Sequence, residues 1–158
     1  MRCHERDVIL NTMHTPHKTS QRNVFEHPIR VYWEDTDAGG IVFYANYLKF
    51  FERARTEWLR ALGVGQHALR EESGGMFVVS ETAVKYHRPA KLDDQLRVTA
   101  TLAEGGRASL VIAQQAWLKH PTDEADTLLC EGTIRIGWVD AATLKPARIP
   151  SSVLERLT

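Results

Sequence analysis

Residues 29–63 read IRVYWEDTDAGGIVFYANYLKFFERARTEWLRALG, and this stretch contains two different apolar patterns. In its first part Ile29, Val31 and Trp33 alternate with more polar residues, which predicts a half-buried strand. In its last part an apolar residue recurs every three or four positions, which predicts one long helix over roughly residues 45–62. The residues of this stripe are Tyr47, Phe51, Ala54, Trp58 and Leu62. Because the opposite side of the helix is polar, the helix is expected to cover one face of another element.

That other element is predicted to be a β-sheet. Downstream of the helix the apolar residues alternate again, which predicts strands over residues 76–87, 95–102, 108–118 and 127–139. Short connections between them suggest antiparallel neighbours in chain order. One long helix on an antiparallel sheet of about five strands is an α+β fold, and we assign it to residues 28–158. Residues 1–27 are polar and lack a sustained period, so they are predicted to be a disordered or loosely docked extension.

Composition narrows the classes of function. The 158-residue chain has 20 basic and 20 acidic residues, so its net charge gives no reason to expect binding to nucleic acid. No apolar run approaches the ~20 residues that span a bilayer, and no signal peptide is recognisable, so neither membrane insertion nor export is expected. The two cysteines, Cys3 and Cys130, are not expected to form a disulfide framework, which favours a reducing, cytoplasmic compartment. No metal-ligand spacing is present, so no metal or other cofactor is expected.

The loop Asp35-Thr36-Asp37-Ala38-Gly39-Gly40 joins the first strand to the long helix and carries the most unusual chemistry. The start of a helix offers unpaired amides and about half a positive charge, which stabilise an anion. A carboxylate beside such amides suits acyl chemistry, although an aspartate before a helix is more often a simple cap. A calcium loop starts in a similar way, but Gly39 and Asn46 stand where it needs oxygen ligands. A phosphotransfer aspartate would require alternating βα units, which are absent.

At this point a resemblance becomes specific. The run from Arg30 to Tyr47, continued by Phe50-Phe51-Glu52-Arg53-Ala54-Arg55, closely resembles the 4-hydroxybenzoyl-CoA thioesterase family. Within that family it looks most like the acyl-CoA thioesterases associated with the Tol-Pal system, the YbgC-like branch. A second block, with Val84-Lys85-Tyr86, Pro89-Ala90 and Asp93, is similar too, and the resemblance covers roughly residues 28–145.

The resemblance implies a hotdog fold, in which an antiparallel sheet wraps a long helix and subunits pair through sheet edges into dimers, often tetramers. It implies hydrolysis of an acyl-CoA thioester, with Asp37 as general base or as nucleophile. The oxyanion donor would be a backbone amide at the helix start, at Tyr44 or an immediate neighbour. A physiological link to the cell-envelope Tol-Pal system is implied in the same way.

Substrate-binding residues are expected in two places. Along the loop they are Trp33, Gly39, Gly40, Ile41 and Val42; after the second predicted strand they are the basic residues Lys85, Arg88 and Lys91, which could meet the phosphates of coenzyme A. Tyr44 stands where many YbgC-like members carry His, and Trp33 where many carry Tyr, so the acyl preference stays open. Two other activities also stay open: a non-catalytic acyl-CoA or acyl-carrier binding module, and an acyl-thioester dehydratase. The latter typically needs a His, and none lies near the helix start.

Overall fold

A computed structural model describes residues 23–158 and confirms the α+β prediction. Within these residues five strands form one antiparallel sheet, and three helices accompany it. The elements are β1 (Phe25–Arg30), α1 (Asn46–Ala61), α2 (Gln66–Ser73), β2 (Gly75–Tyr86), β3 (Gln95–Gly105), β4 (Ser109–Leu118), β5 (Thr127–Asp140) and α3 (Ser151–Leu157). None of these helices is long and apolar enough to cross a membrane.

The long helix α1 lies one residue inside the predicted range at each end. Its apolar stripe faces the sheet, where Phe50, Phe51 and Ala54 are fully buried against residues such as Ile112 and Ile134. The helix ends in a Schellman motif, in which Gly63 N–H donates to the Arg60 carbonyl (2.9 Å) and Val64 N–H to the Leu59 carbonyl (2.8 Å). Gly63 has φ +77°, as the predicted terminating glycine should.

The strand order is β1-β3-β4-β5-β2, which corrects one prediction. The strands β3, β4 and β5 are neighbours in chain order as expected, but β2 pairs with β5 and not with β3. The connection between β2 and β3, residues 87–94, makes several hydrogen bonds to the loop before α1. The Ala90 carbonyl accepts from Val42 N–H (2.9 Å) and the Asp94 carbonyl from Val31 N–H (3.0 Å). Since this crossover runs past the helix start, β2 lies at one edge of the sheet and β3 lies next to β1, the strand at the other edge.

The first strand also lies earlier than predicted. It covers Phe25–Arg30 and pairs with β3, whereas Trp33 lies on a 3₁₀ turn and is 80% exposed. The alternation was misleading at this point because Asp35 accepts a hydrogen bond from Tyr32 N–H and turns the chain (2.8 Å). Residues 25–27, at the end of the predicted N-terminal extension, are part of this strand. Residues 1–22 of that extension lie outside the described residues.

A buried polar network ties α1 to the middle of the sheet. The side-chain amide of Gln114 on β4 is almost fully buried and donates to the carbonyls of Phe51 (3.0 Å) and Thr99 (3.2 Å). Its oxygen accepts from the guanidinium of Arg55 on α1 (2.8 Å). Burial withdraws the guanidinium of Arg55 from water and so lowers its pKa. Every polar atom of Gln114 thus has a partner, so its burial carries little cost.

Candidate active site

The loop before α1 closes into a tight turn. Asp37 N–H donates to the Ile41 carbonyl (2.9 Å), and Gly40 N–H donates to the Asp37 carbonyl (3.0 Å). Gly40 has φ +75°, in the left-handed region that glycine enters without strain. A Cβ on Gly39 would lie 3.1 Å from a carboxylate oxygen of Asp37, so the glycine lets that carboxylate lie against the backbone.

The two aspartates of this loop have different environments. Asp35 is 3% exposed; its carboxylate closes the 3₁₀ turn, and its carbonyl accepts from Phe43 N–H (2.9 Å) and from the Asn46 side chain (2.9 Å). Asp37 is exposed, and its carboxylate accepts only from Gly39 N–H within the described chain (2.8 Å). Asp35 therefore stabilises the loop, whereas the carboxylate of Asp37 remains accessible from solvent.

Backbone amides at the start of α1 lack hydrogen-bond acceptors among the described residues. Asn46 N–H donates to the Phe43 carbonyl (2.8 Å), but the N–H groups of Tyr44 and Ala45 have no acceptor among residues 23–158. The N-cap position, Ala45, has no side chain that could satisfy them. The site therefore combines open amides at the positive end of a helix with an exposed carboxylate on the preceding turn. These are the components with which an enzyme can hold an oxyanion and activate an attacking group.

Exposed aromatic side chains surround this loop. Trp33 and Tyr44 are 80% and 64% exposed, and Tyr44 contacts Phe43 and Tyr86 with ring centroids 4.8 Å and 6.2 Å apart. Large apolar groups that remain in water beside a polar site are typical of a surface that binds a partly apolar ligand. Of the other loop residues expected to bind substrate, Gly39 and Gly40 are exposed and Ile41 is half-buried, while the side chain of Val42 is buried in the core.

The three basic residues that were expected to bind coenzyme A do not lie together in the structure. Lys91 lies in the crossover and forms a β-bridge with Ile41, next to the loop, and Arg88 is exposed on the same segment. Lys85 is on β2 and points to the other face of the sheet from Tyr86, because successive side chains of a strand alternate. It lines a cavity of about 590 Å³ on that face, together with Ala113, Gln115, Glu131 and Thr133. Lys91 and Arg88 therefore lie on the segment that contacts the loop, whereas Lys85 does not.

Two site features were not found in the sequence. Asn46 fixes the loop through its bond to the Asp35 carbonyl, and the Tyr86 hydroxyl donates to the Tyr44 carbonyl (2.8 Å). Tyr86 belongs to the second block of the family resemblance. Its partner is 42 residues away in sequence, so the contact itself could not be inferred from a local pattern.

Cys130 offers no alternative nucleophile. It is fully buried, and burial raises the pKa of its thiol to about 12, so the reactive thiolate is absent near neutral pH. Among residues 23–158, no group of three or more His, Cys, Asp or Glu side chains is placed to hold a metal ion. The reactive groups that the described site presents are thus the Asp37 carboxylate and the open amides.

Comparisons with known proteins agree with this geometry. The family model of the thioesterase-like superfamily matches residues 31–157. The acyl-CoA thioesterase YbgC of Haemophilus influenzae is 44% identical over 131 residues, which cover 83% of this chain and 92% of that protein. The acyl-CoA thioester hydrolase YbgC of Escherichia coli is 40% identical over 131 residues, covering 83% of this chain and 93% of that protein.

Solved structures give the same assignment. A probable thioesterase from Bartonella henselae superposes with a TM-score of 0.69 at 29% identity, covering 81% of this chain and 100% of that chain. A mutant 4-hydroxybenzoyl-CoA thioesterase bound to 4-hydroxybenzoyl-CoA superposes with a TM-score of 0.79 at 19% identity, covering 85% and 99%. The second likeness shows the fold alone, and it confirms the hotdog arrangement. The chain therefore belongs to the thioesterase-like superfamily, and its curated relatives place it with the YbgC acyl-CoA thioesterases.

Proposed function

We propose that this protein is an acyl-CoA thioesterase, which hydrolyses an acyl-CoA to a free acid and coenzyme A. One observation carries the proposal: an exposed carboxylate, Asp37, lies on the turn that leads into a helix start with unpaired amides. The relatives supply the substrate class, since they are thioesterases of acyl-CoA.

Two routes use the same residues. In the first, the Asp37 carboxylate removes a proton from water as the water oxygen attacks the thioester carbonyl. In the second, Asp37 attacks the carbonyl itself and forms a mixed anhydride, which water then hydrolyses. In both routes the amides of Tyr44 and Ala45 stabilise the negative oxygen of the tetrahedral intermediate. That intermediate collapses with cleavage of the C–S bond, and the coenzyme A thiolate leaves and takes up a proton.

A single turnover in ¹⁸O-labelled water detects the second route whenever water attacks the Asp37 side of the anhydride, whereas attack on the acyl side labels the product acid as direct attack does. Direct attack by water labels the product acid and leaves Asp37 unlabelled. Attack of water on the Asp37 side of an anhydride labels the enzyme, and the product then carries the unlabelled oxygen of Asp37. Mass spectrometry of the tryptic peptide that contains Asp37 reads this difference.

The substrate would bind across the loop and the crossover. Lys91 and Arg88 are placed to attract the phosphates of coenzyme A, whereas the backbone at Gly39, Gly40 and Ile41 lets the thioester approach the helix start. The aromatic surface with Trp33 and Tyr44 provides apolar contact for the acyl group. Its composition favours aromatic or medium-length acyl groups over acetyl.

We further propose that two copies pair through β2. This strand is at the edge of the described sheet, is 12 residues long and contains no proline. Residues 79–86 are exposed apart from half-buried Val84, and Val79 is 53% exposed. Long edges of this kind are protected in native proteins, and antiparallel pairing with a second β2 would protect this one. Sedimentation should show a dimer or a tetramer; a fully active monomer would contradict the pairing.

The cellular location and the physiological pathway are proposed from the family resemblance. From this resemblance we propose a cytoplasmic homotetramer that functions with the Tol-Pal system. Fractionation of cells that express the protein at its natural level tests the location. Co-purification with Tol-Pal components, compared between the wild-type protein and an inactive Asp37 variant, tests the link.

The decisive experiment is a screen of acyl-CoA thioesters from short to long and aromatic, with free thiol as the readout. Release of thiol by the wild-type protein, and its loss in Asp37→Asn, would establish the activity. Binding of acyl-CoA without thiol release would indicate a binding module. Formation of a hydrated or dehydrated acyl-CoA without thiol release would indicate a dehydratase.

A further inference from the structure

We propose that Tyr86 is a positioning residue, which fixes the direction of the Ala45 amide, one of the two open amides at the start of α1. The inference rests on the proposed thioesterase function and concerns the same site. Tyr86 is the last residue of β2, and its hydroxyl donates a 2.8 Å hydrogen bond to the Tyr44 carbonyl. Its ring packs edge-on against Tyr44 and against Tyr47, with centroids 6.2 Å and 5.6 Å apart.

The geometry of the peptide unit explains how a bond to a carbonyl can fix the direction of an amide. A peptide is planar and trans, so its N–H points away from its own C=O. The N–H of Tyr44 belongs to the peptide whose carbonyl, on Phe43, is held by Asn46 N–H. The N–H of Ala45 belongs to the peptide whose carbonyl, on Tyr44, is held by Tyr86. Each open amide is thus aimed by the bond that holds the carbonyl of its own peptide.

The two bonds differ in origin. The bond from Asn46 to Phe43 is local and forms with the first turn of α1. The bond from Tyr86 joins the helix start to a strand 42 residues away, and no other described group holds the Tyr44 carbonyl. Without it the second peptide could rotate, because Ala45 brings no capping side chain. An oxyanion site depends on donors that are already aimed before the charge develops, so this rotation would reduce the rate.

The state of the Tyr86 hydroxyl fits this role. Burial raises the pKa of Tyr86, so the group remains a protonated donor at neutral and mildly alkaline pH. The crossover that follows Tyr86 is held separately, since Ala90 N–H donates to the Tyr47 hydroxyl (3.0 Å). The Tyr86 hydroxyl is therefore not required to hold the crossover in place.

The experiment uses the full-length protein and a thioester that it turns over. Tyr86→Phe keeps the ring contacts and removes only the hydroxyl. We expect kcat to fall roughly three- to tenfold, the range of one lost hydrogen bond, with KM within twofold of wild type. The dissociation constant for coenzyme A should not change. Incorporation of 4-aminophenylalanine at position 86 restores a donor at the same ring position and should recover most of kcat.

Tyr47→Phe is the matched control, because it also removes one tyrosine hydroxyl from the same aromatic group. It leaves the Ala90 amide unpaired in the core, so we expect a lower Tm and a kcat within twofold of wild type. Wild-type kcat in Tyr86→Phe would overturn the proposal, as would an equal loss of kcat in both variants. If the wild-type protein released no thiol, the proposed function and this inference would both be wrong. If it released thiol and Tyr86→Phe were as fast, only the inference would be wrong.

Discussion

The two ends of helix α1 are built in opposite ways. At its C-terminal end Gly63 and Val64 donate to helix carbonyls, and the guanidinium of Arg156 on α3 donates to the Gly63 carbonyl. At its N-terminal end the amides of Tyr44 and Ala45 have no described acceptor, and exposed aromatic groups surround them. Completing every hydrogen bond increases stability, while leaving some open lowers it and creates a binding site. Substitutions at the open end should therefore change kinetic constants, and those at the closed end should change Tm.

The largest effect is expected at Asp37. Asp37→Asn keeps the size of the side chain and its hydrogen bond to Gly39, but removes the charge and the basicity. We expect kcat to fall roughly 10²–10⁴-fold with KM little changed, because contacts to coenzyme A remain. Thiol-release kinetics measure the loss, and Tm should stay within about 2 °C of wild type, since an exposed loop carboxylate contributes little to stability.

Asp35→Asn is the matched control two residues earlier. Its side chain is buried, so the amide would bring unpaired N–H groups into the 3₁₀ turn and lower Tm by several degrees. Its effect on kcat should be at least tenfold smaller than that of Asp37→Asn. If Asp35→Asn were the slower enzyme, the catalytic carboxylate would have been assigned to the wrong position.

The next largest effect is expected at the closed end. Gly63→Ala forces a Cβ into the left-handed region at φ +77°, where that Cβ would also lie 2.9 Å from the Arg156 side chain. We expect the free energy of unfolding to fall by about 1–2 kcal/mol, which corresponds to a few degrees in Tm. Both kcat and KM should be unchanged. A large loss of kcat would mean that the two ends of the helix are not independent.

A smaller effect is expected from the basic residues beside the open end. Lys91→Ala and Arg88→Ala should each raise KM roughly three- to tenfold without lowering kcat, because a phosphate contact is made equally in the ground and transition states. Added salt should reduce the difference between these variants and the wild-type protein. Lys85→Ala is the control on the other face of the sheet. A rise in KM for Lys85→Ala alone would place coenzyme A on that face.

The smallest effect is expected for Arg156→Gln. This change removes the guanidinium that donates to the Gly63 carbonyl, at an exposed site where water can replace it. The free energy of unfolding should fall by about 0.5 kcal/mol, close to the limit of detection by chemical denaturation. An effect larger than that of Gly63→Ala would show that α3 contributes more to the closed end than the glycine does.

The sequence predicted those parts of the fold that local patterns encode. The stripe of α1 and the alternation of the later strands were both correct, because burial on one side leaves a period of 3.6 or 2. The pairing of β2 with β5 was not predicted, since it depends on where the crossover of residues 87–94 runs. Helix α2 was missed because none of its residues is buried, so it has no apolar stripe to reveal it.

The candidate site, too, was predictable from the sequence only in part. Asp37, Tyr44 and the glycines lie on one continuous loop, so their proximity follows from sequence and their roles were implied by the family resemblance. The difference between Asp35 and Asp37 required the structure, because it depends on which carboxylate turns inward to meet Tyr32. The hydroxyl of Tyr86 required it too, since tertiary folding alone brings β2 to the helix start.

The buried amide of Gln114 has a consequence for how the chain reaches this fold. During folding β4 could pair with its neighbours one residue out of register, and such a slip would turn each of its side chains to the opposite face of the sheet. The guanidinium of Arg55 would then lose this partner inside an apolar layer, at a cost of about 1–3 kcal/mol. A chain with leucine at this position would tolerate the slipped sheet far better. Gln114 thus acts against misfolded registers, and replacing it should increase aggregation during refolding even where the native sheet can still form.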